Sequence, residues 1–371
     1  MFHNAFQGAK VLVTGHTGFK GSWLTAWLLK LGAKVAGLSK DIPTEPSNFD
    51  VLALRGKIAH YAADVRDAER VRAIVDAEKP DFVFHLAAQA LVSRSYRDPL
   101  ETLATNVMGT AHVLDALRAA ARPCAAVIVT SDKCYDNVEW VWGYRETDPL
   151  GGKDIYSGSK AAAEMVFRCY FHSFLAASPV RAATARAGNV LGGGDWAADR
   201  IVPDCVRAWS RGEEVQVRNP QATRPWQHVL EPLSGYLTLA QALQADGRLN
   251  GESFNFGPPS DQCHTVQKII GDLRETWHDA GGRHACIAGG PPPFHEAGLL
   301  KLNCDKALLR LGWGCTLNYS DMIRFVGDWY STYYHKSEDM LPYALRQIAE
   351  YEQAAAARGW SWSAGAEATH D

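Results

Sequence analysis

The sequence predicts an α/β protein: a doubly wound parallel sheet with a smaller α/β substrate-binding lobe at its C-terminal side. Three observations predict it. β-rich runs alternate with helical patterns through the first half, a glycine-spaced turn directly follows the first run, and beyond about Gly188 the rhythm gives way to Gly- and Pro-rich loops. With 371 residues, 47% hydrophobic and 21% charged, the composition is that of a globular protein with room for two domains.

The first strand is expected at 10–14, followed by an apolar-periodic helix around Trp23, Leu24, Trp27 and Leu28. Strands follow at 34–38 and 58–62, a helix at 67–78, a strand at 81–85, a long helix at 99–121, a strand at 125–130, a helix at 155–173 and a strand at 180–187. Such alternation places helices on both faces of a parallel sheet. Residues 1–187 are therefore expected as the first domain, and 188–224 with 258–355 as the second lobe. Segments within 225–257, namely 227–230 and 253–257, are expected to return to the first sheet. The tail, 356–371, is Ala-, Gly- and Ser-rich with a stray W-S-W and is expected to fray.

Composition also excludes classes. Lys+Arg 38 against Asp+Glu 41 leaves a net charge of -3, no field for holding a nucleic-acid backbone. No apolar run approaches the ~20 residues of a membrane span, and the start MFHNAFQGAKVLVTG lacks a secretory pattern, so a cytoplasmic protein is expected. The 8 cysteines are scattered without a C-x-x-C pair, which reads as reduced thiols with neither a metal site nor a disulfide framework.

The turn Gly15-His16-Thr17-Gly18-Phe19-Lys20-Gly21 leads from a strand into a helix, the context of a phosphate-binding loop. Gly15 permits the sharp turn, Gly18 lets backbone approach a pyrophosphate, and Gly21 allows close helix packing while the helix N-terminus offers N–H donors. The first domain is thereby Rossmann-type. Its second strand ends at Ser39-Lys40 rather than at an acidic residue, so the residues leave both NAD and NADP open. Asp64, after the third strand, could accept from an adenine amino group or cap the next turn. Tyr156 and Lys160, four apart on a helix, share one face. An ammonium beside a phenol lowers the phenol's pKa and makes Tyr156 a base for alcohol oxidation.

Seven segments carry a resemblance: VTGHTGFKGSWL (13–24), HLAAQALVSRSY (85–96), TSDKCYDN (130–137), YSGSK (156–160), GNVLGGGDWAADRIVPD (188–204), RPWQHVLEPL (224–233) and HEAGLLKLNCDKA (295–307). Over nearly its whole length the chain resembles an extended short-chain dehydrogenase/reductase of the epimerase/dehydratase family. The resemblance is nearest to the members that act on CDP-glucose in deoxysugar biosynthesis for lipopolysaccharide O-antigen. It implies Ser131, Tyr156 and Lys160 as the hydride-transfer triad, with Asp132 and Lys133 at the two dehydration positions. It implies NAD, contacted by Gly15, Thr17, Gly18, Phe19, Lys20, Gly21, Ser39, Asp64, Val65, Leu86, Ala87, Ala88, Gln89 and Thr105 together with Tyr156 and Lys160. CDP-glucose would meet Ser93, Ser131, Asn189, Arg200, Arg224, His295 and Glu296, the two guanidiniums being suited to a diphosphate.

The implied chemistry oxidises the sugar at C4, eliminates water across C5 and C6, and returns the hydride to C6. Asp132 must then be protonated, which partial burial favours. Lys133 stands where the dTDP-glucose dehydratases carry Glu. It can be the C5 base only if its pKa is depressed, and otherwise stabilises the enolate or pairs with Asp132. A nucleotide-sugar 4-epimerase or reductase would need only Ser131, Tyr156 and Lys160, a dehydratase of another nucleotide-glucose or nucleotide-mannose is a second alternative, and a non-catalytic dinucleotide sensor would need none of the triad. The resemblance further implies a homodimer formed through the helices near 99–121 and 155–173, where Val107, Val113, Leu114, Leu117, Ala161, Ala162 and Met165 could supply apolar surface.

Overall fold

The computed structural model describes residues 1–217, 219–259, 262–277, 286–288 and 299–364. The elements that build the site are β1 (Lys10–Thr14), α1 (Phe19–Lys30), β2 (Lys34–Ser39), β3 (Ala59–Ala62), α2 (Ala68–Glu78), β4 (Phe82–His85), α3 (Gly109–Ala120), β5 (Cys124–Val129), α4 (Ile155–Tyr170), β6 (Val180–Ala187), α5 (Leu230–Ala245), β7 (Ser253–Phe256), α6 (Tyr319–His335) and α7 (Met340–Ala357). The strands form one 7-stranded sheet in the order β7-β6-β5-β4-β1-β2-β3, every pair parallel. Both faces are covered, so strands such as β1 and β5 read as continuous apolar runs. From β1 the chain winds outward through β2 and β3, then crosses back to β4 and winds the other way. That reversal opens a crevice at the carboxyl ends of β1 and β4, where Thr14 lies in register with His85.

One face is packed by α1, α5, α6 and α7, with Trp23, Leu24, Trp27 and Leu28 of α1 fully buried. The other is packed by α2, α3 and α4 through Val71, Ile74, Val75, Val113, Leu114, Leu117 and Phe167. Beyond β6 lie the helix Ile201–Trp209, the antiparallel pair Thr223–Pro225 with Cys263–Thr265, and the parallel pair Val215–Val217 with Cys286–Ala288. No helix among the described residues is long and apolar enough to cross a membrane.

Four local expectations are corrected. The long helix at 99–121 is continuous from 99 to 120 but not purely α: between Pro99–Leu103 and α3 lies the π-helical turn Ala104–Met108, whose Asn106 meets Gln89 and Ser159. Gln227–His228 pairs with Val190–Leu191 outside the main sheet, and it is Ser253–Phe256 that joins β6. The tail is docked at least to 364, because Trp362, 1% exposed, stacks on Phe2 with ring centroids 5.0 Å apart. Val113, Leu114 and Leu117 belong to the core under α3, and Ala161 to a separate buried cluster with Cys134 and Tyr135. The apolar side chains these helices leave exposed are Leu100, Leu103, Met108, Ile155, Met165 and Phe174.

Candidate active site

The glycine turn is shaped by absent side chains. Gly15 has φ +77°, and a Cβ there would stand 2.7 Å from the Ala87 backbone nitrogen; one on Gly21 would stand 2.1 Å from the Gly15 carbonyl oxygen. The loop therefore lies against the end of β4, where Leu86 N–H donates to the Thr14 carbonyl and Ala87 N–H to Thr14 Oγ1. Gly18 is the N-cap of α1 without a side-chain cap, so the first N–H groups of that helix face the crevice. A cradle that any Cβ would fill, ending on an uncapped helix N-terminus, fits a dinucleotide's pyrophosphate.

On the adenosine side, Ser39 Oγ accepts from Thr17 N–H at 3.4 Å and pairs with His16 Nδ1 at 3.1 Å, while the Thr17 hydroxyl donates to the Asp41 carbonyl. His16 is fully buried, its Nε2 lies 2.7 Å from His60 Nδ1, and burial followed by the His60 charge lowers its pKa to about 4. Lys40 is held by Glu101 at 2.8 Å. Asp64 accepts from the Arg66 backbone and guanidinium, and these bonds outweigh burial to hold its carboxyl below the usual range. Val65 is buried under Gly109. Gln89 spends its side chain on Leu91 and Thr102, and Asn106 ties the Gln89 backbone to Ser159 on α4. Thr105 is buried in the π-helical turn, and Leu86, Ala87 and Ala88 line the crevice edge half-buried.

The structure brings Ser131, Asp132, Tyr156 and Lys160 together in a closed space, each between 5% and 8% exposed. Ser131 ends the loop after β5 and its Oγ accepts from Lys133 N–H at 3.3 Å, capping the turn Asp132–Cys134; the same hydroxyl donates to Asp132 Oδ1 at 3.0 Å. Burial raises the Asp132 pKa against the pull of Lys133, Ser131 and Lys20. Its other oxygen faces Gly188, where a Cβ would come within 3.1 Å. Lys133 is half-buried and forms no ion pair with Asp132 among the described residues.

Tyr156 departs from expectation. Burial pushes its phenol up to about 12, against a Ser131 hydrogen bond and the Arg200 charge. Desolvation of the phenolate thus outweighs the nearby cations. Lys160 is pulled down to about 8 by the same burial, with Cys134 and Glu164 opposing. Lys20 turns from the glycine loop toward this cluster: burial and the Arg200 and Lys160 charges lower it to about 8 while Asp132 opposes, and its ammonium lies 6.0 Å from the Tyr236 ring centroid. Glycine spacing locates Lys20 in the turn but not the direction of its side chain. Phe19 packs over Gly192 instead.

Arg200 binds Asp195 at 2.8 Å and faces Tyr156 and Lys20, so it belongs to the same cluster. Ser93 donates to Asp199 at 2.7 Å, joining the β4 loop to the 195–200 loop. Asn189 follows β6, half-buried, and Arg224 lies on the short Thr223–Pro225 strand and donates to the Thr223 carbonyl. His295 and Glu296 fall outside the described residues.

A dinucleotide cradle and a buried Tyr-Lys pair facing one crevice of a parallel sheet define the class, that of the extended short-chain dehydrogenases/reductases. Within it, the chain belongs to the GDP-mannose 4,6 dehydratase family, which matches residues 12–326. It is 45% identical over 356 residues to a CDP-glucose 4,6-dehydratase of Salmonella typhimurium, covering 95% of this chain and 98% of that one. The fold is similar to the UDP-glucose 4-epimerase of Thermus thermophilus in complex with NAD (TM-score 0.73, 25% identity, 86% and 98% of the two chains). It is also similar to a dTDP-glucose 4,6-dehydratase of Streptomyces venezuelae with NAD bound (TM-score 0.74, 22% identity, 86% and 96%).

Proposed function

We propose that this chain converts CDP-D-glucose into CDP-4-dehydro-6-deoxy-D-glucose and water, with NAD as its cofactor, as a hydro-lyase. Bound NAD supplies a hydride acceptor for the C4 hydrogen and a donor for C6. Tyr156 takes the proton of the 4-hydroxyl, and Ser131 donates a hydrogen bond to the same oxygen. The burial that raises Tyr156 keeps its proton in place until a positively charged site favours the phenolate, a role for Lys160 and Arg200. The 4-ketone acidifies C5–H. Asp132 then delivers its proton to the departing 6-hydroxyl, and Lys133, as a neutral amine, takes the C5 proton and returns it to C5 as the hydride reaches C6.

One observation carries the choice of dehydratase over epimerase. Asp132 is a buried carboxyl with a raised pKa beside Ser131 and Tyr156, an acid that C4 inversion has no use for. The 45% identity to a CDP-glucose 4,6-dehydratase supports the nucleotide. Incubation of the purified protein with a panel of nucleotide-glucose donors, read by mass spectrometry, tests both. CDP-glucose is expected to lose one water without added oxidant. Inversion at C4 with no mass change would move the protein to the epimerases. The exposed Leu100, Met108, Ile155 and Met165 are proposed to pack on a second copy, so a monomeric mass in light scattering at micromolar concentration would refute the dimer.

A further inference from the structure

The polar cluster behind the catalytic loop reaches beyond the reacting groups. Glu164 lies one helical turn past Lys160 on α4 and pairs with Arg186 of β6 at 2.8 Å, with side chains only 2% and 3% exposed. Its Oε1 accepts from Thr130 Oγ1 at 2.5 Å, and its Oε2 from Thr184 Oγ1 at 2.8 Å. Arg186 Nη1 donates to Tyr135 Oη at 2.8 Å and to the Glu146 carbonyl at 3.1 Å. Tyr135 in turn donates to Asn255 of β7, whose amide reaches the Tyr144 and Asn303 carbonyls.

Thr130 immediately precedes Ser131, and Tyr135 follows Lys133 by two residues. The pair therefore grips the catalytic loop at both ends and the catalytic helix from below. An ion pair is a poor means of adding stability at such depth, since desolvating two charges offsets most of their attraction and apolar packing would serve as well. What it does give is a single geometry and a local field.

We propose that Glu164 and Arg186 are positioning residues for the oxidation step: they hold Tyr156 and Lys160 at a fixed reach from Ser131 and Asp132, and their opposed charges set the field at the Lys160 ammonium. The proposal rests on the oxidation-first reading above. Lys160 is faced by Tyr156 and Glu164 from its own helix, by Cys134 from the loop, by Lys20 from α1 and by His85 from β4, with Arg186 behind Glu164. The direction in which each neighbouring charge moves the loss of the Lys160 proton follows from its sign. Removing the Glu164 charge eases that loss, and removing the Arg186 charge hinders it.

The test compares E164Q, R186Q and the double variant E164Q/R186Q. The titration of the Lys160 ammonium, read without cofactor by nitrogen-15 NMR as the signal absent from the matching Lys160→Met background, is expected to move down by about one pH unit in E164Q and up by about one in R186Q. The double variant is expected to return toward the wild-type value. The pH at half-maximal single-turnover oxidation of CDP-glucose should shift in the same senses. Shifts in one direction for both single variants, or none, would overturn the assignment. If the charge variants do not fold, Thr130→Val, which removes one hydrogen bond and no charge, decides: oxidation slowed about tenfold at unchanged KM supports the proposal, and a wild-type rate overturns it. Wild-type protein that never oxidises the sugar would strike the functional reading instead, while the cofactor-free titration would still judge the pair.

Discussion

The glycine turn and the catalytic loop stand at the carboxyl ends of nearby parallel strands, yet they are held by opposite means. The turn owes its shape to missing atoms: Gly15 and Gly21 leave no room for a side chain, and the partner surface is backbone of β4. The catalytic loop owes its shape to buried charge, fixed by Glu164 and Arg186 through groups drawn from β5, β6 and β7. A cavity made of backbone accepts a ligand with little reorganisation, whereas one made of paired charges dictates where protons sit. On the proposed function the difference separates binding from chemistry within a single crevice.

The largest effect expected is on chemistry alone. Tyr156→Phe keeps the ring and the fold but should slow C4 oxidation by about 10²–10⁴-fold, with cofactor affinity little changed. Steady-state kinetics alongside NAD titration checks this. Asp132→Asn should divide the reaction: oxidation persists while water loss slows by about 10²–10⁴-fold, because the amide retains the shape but cannot deliver a proton. Rapid-quench mass spectrometry would then find a 4-keto sugar that still carries its C6 oxygen.

Gly15→Ala should do the reverse, straining the turn by about 1–3 kcal/mol and weakening NAD binding by about 5–150-fold. Fluorescence titration measures it, and unchanged affinity would deny the cradle its role. The smallest effect is a difference in acid sensitivity. His16 has a folded pKa of about 4 against an ordinary 6.5, so its contribution is complete above pH 6.5 and is lost as pH falls, by about 2 kcal/mol at pH 5. Glu164 is held below the ordinary 4.5 by Arg186 despite its burial, so its contribution persists down to about pH 4.5. Hydrogen exchange at pH 5 should therefore show the glycine turn opening before the catalytic loop; simultaneous loss of protection would erase the distinction.

The same contrast decides how much could be read in advance. The turn is local, its glycines sit within seven residues of one another, and the Tyr156–Lys160 spacing is a property of one helix, so both are visible in the chain. Glu164 lies at the next step of that helical spacing, but its partners at 130, 184, 186 and 253 come together only through sheet order. The inward reach of Lys20 depends on a side-chain direction that spacing does not contain. The π-helical turn at 104–108 shifts the apolar stripe by about 100°, but Pro99–Leu103 before it is too short to show the change of phase. Val113, Leu114 and Leu117 looked equally fit for an interface or a core, since apolar character does not say which surface covers it.

The covering of α1 carries a consequence for the life of the nascent chain. Trp27 Nε1 donates to Glu352 across 325 residues of sequence, at 2.8 Å, and Lys30 reaches the same carboxylate. Until α7 leaves the ribosome, the outward face of the first helix lacks its native cover, an interval of roughly 15–65 s at ordinary elongation rates. The dinucleotide-binding half is thus a late assembler in spite of its early synthesis. A fragment ending near 187 is expected to present Trp23, Trp27 and Phe2 to solvent and to require a chaperone or to aggregate.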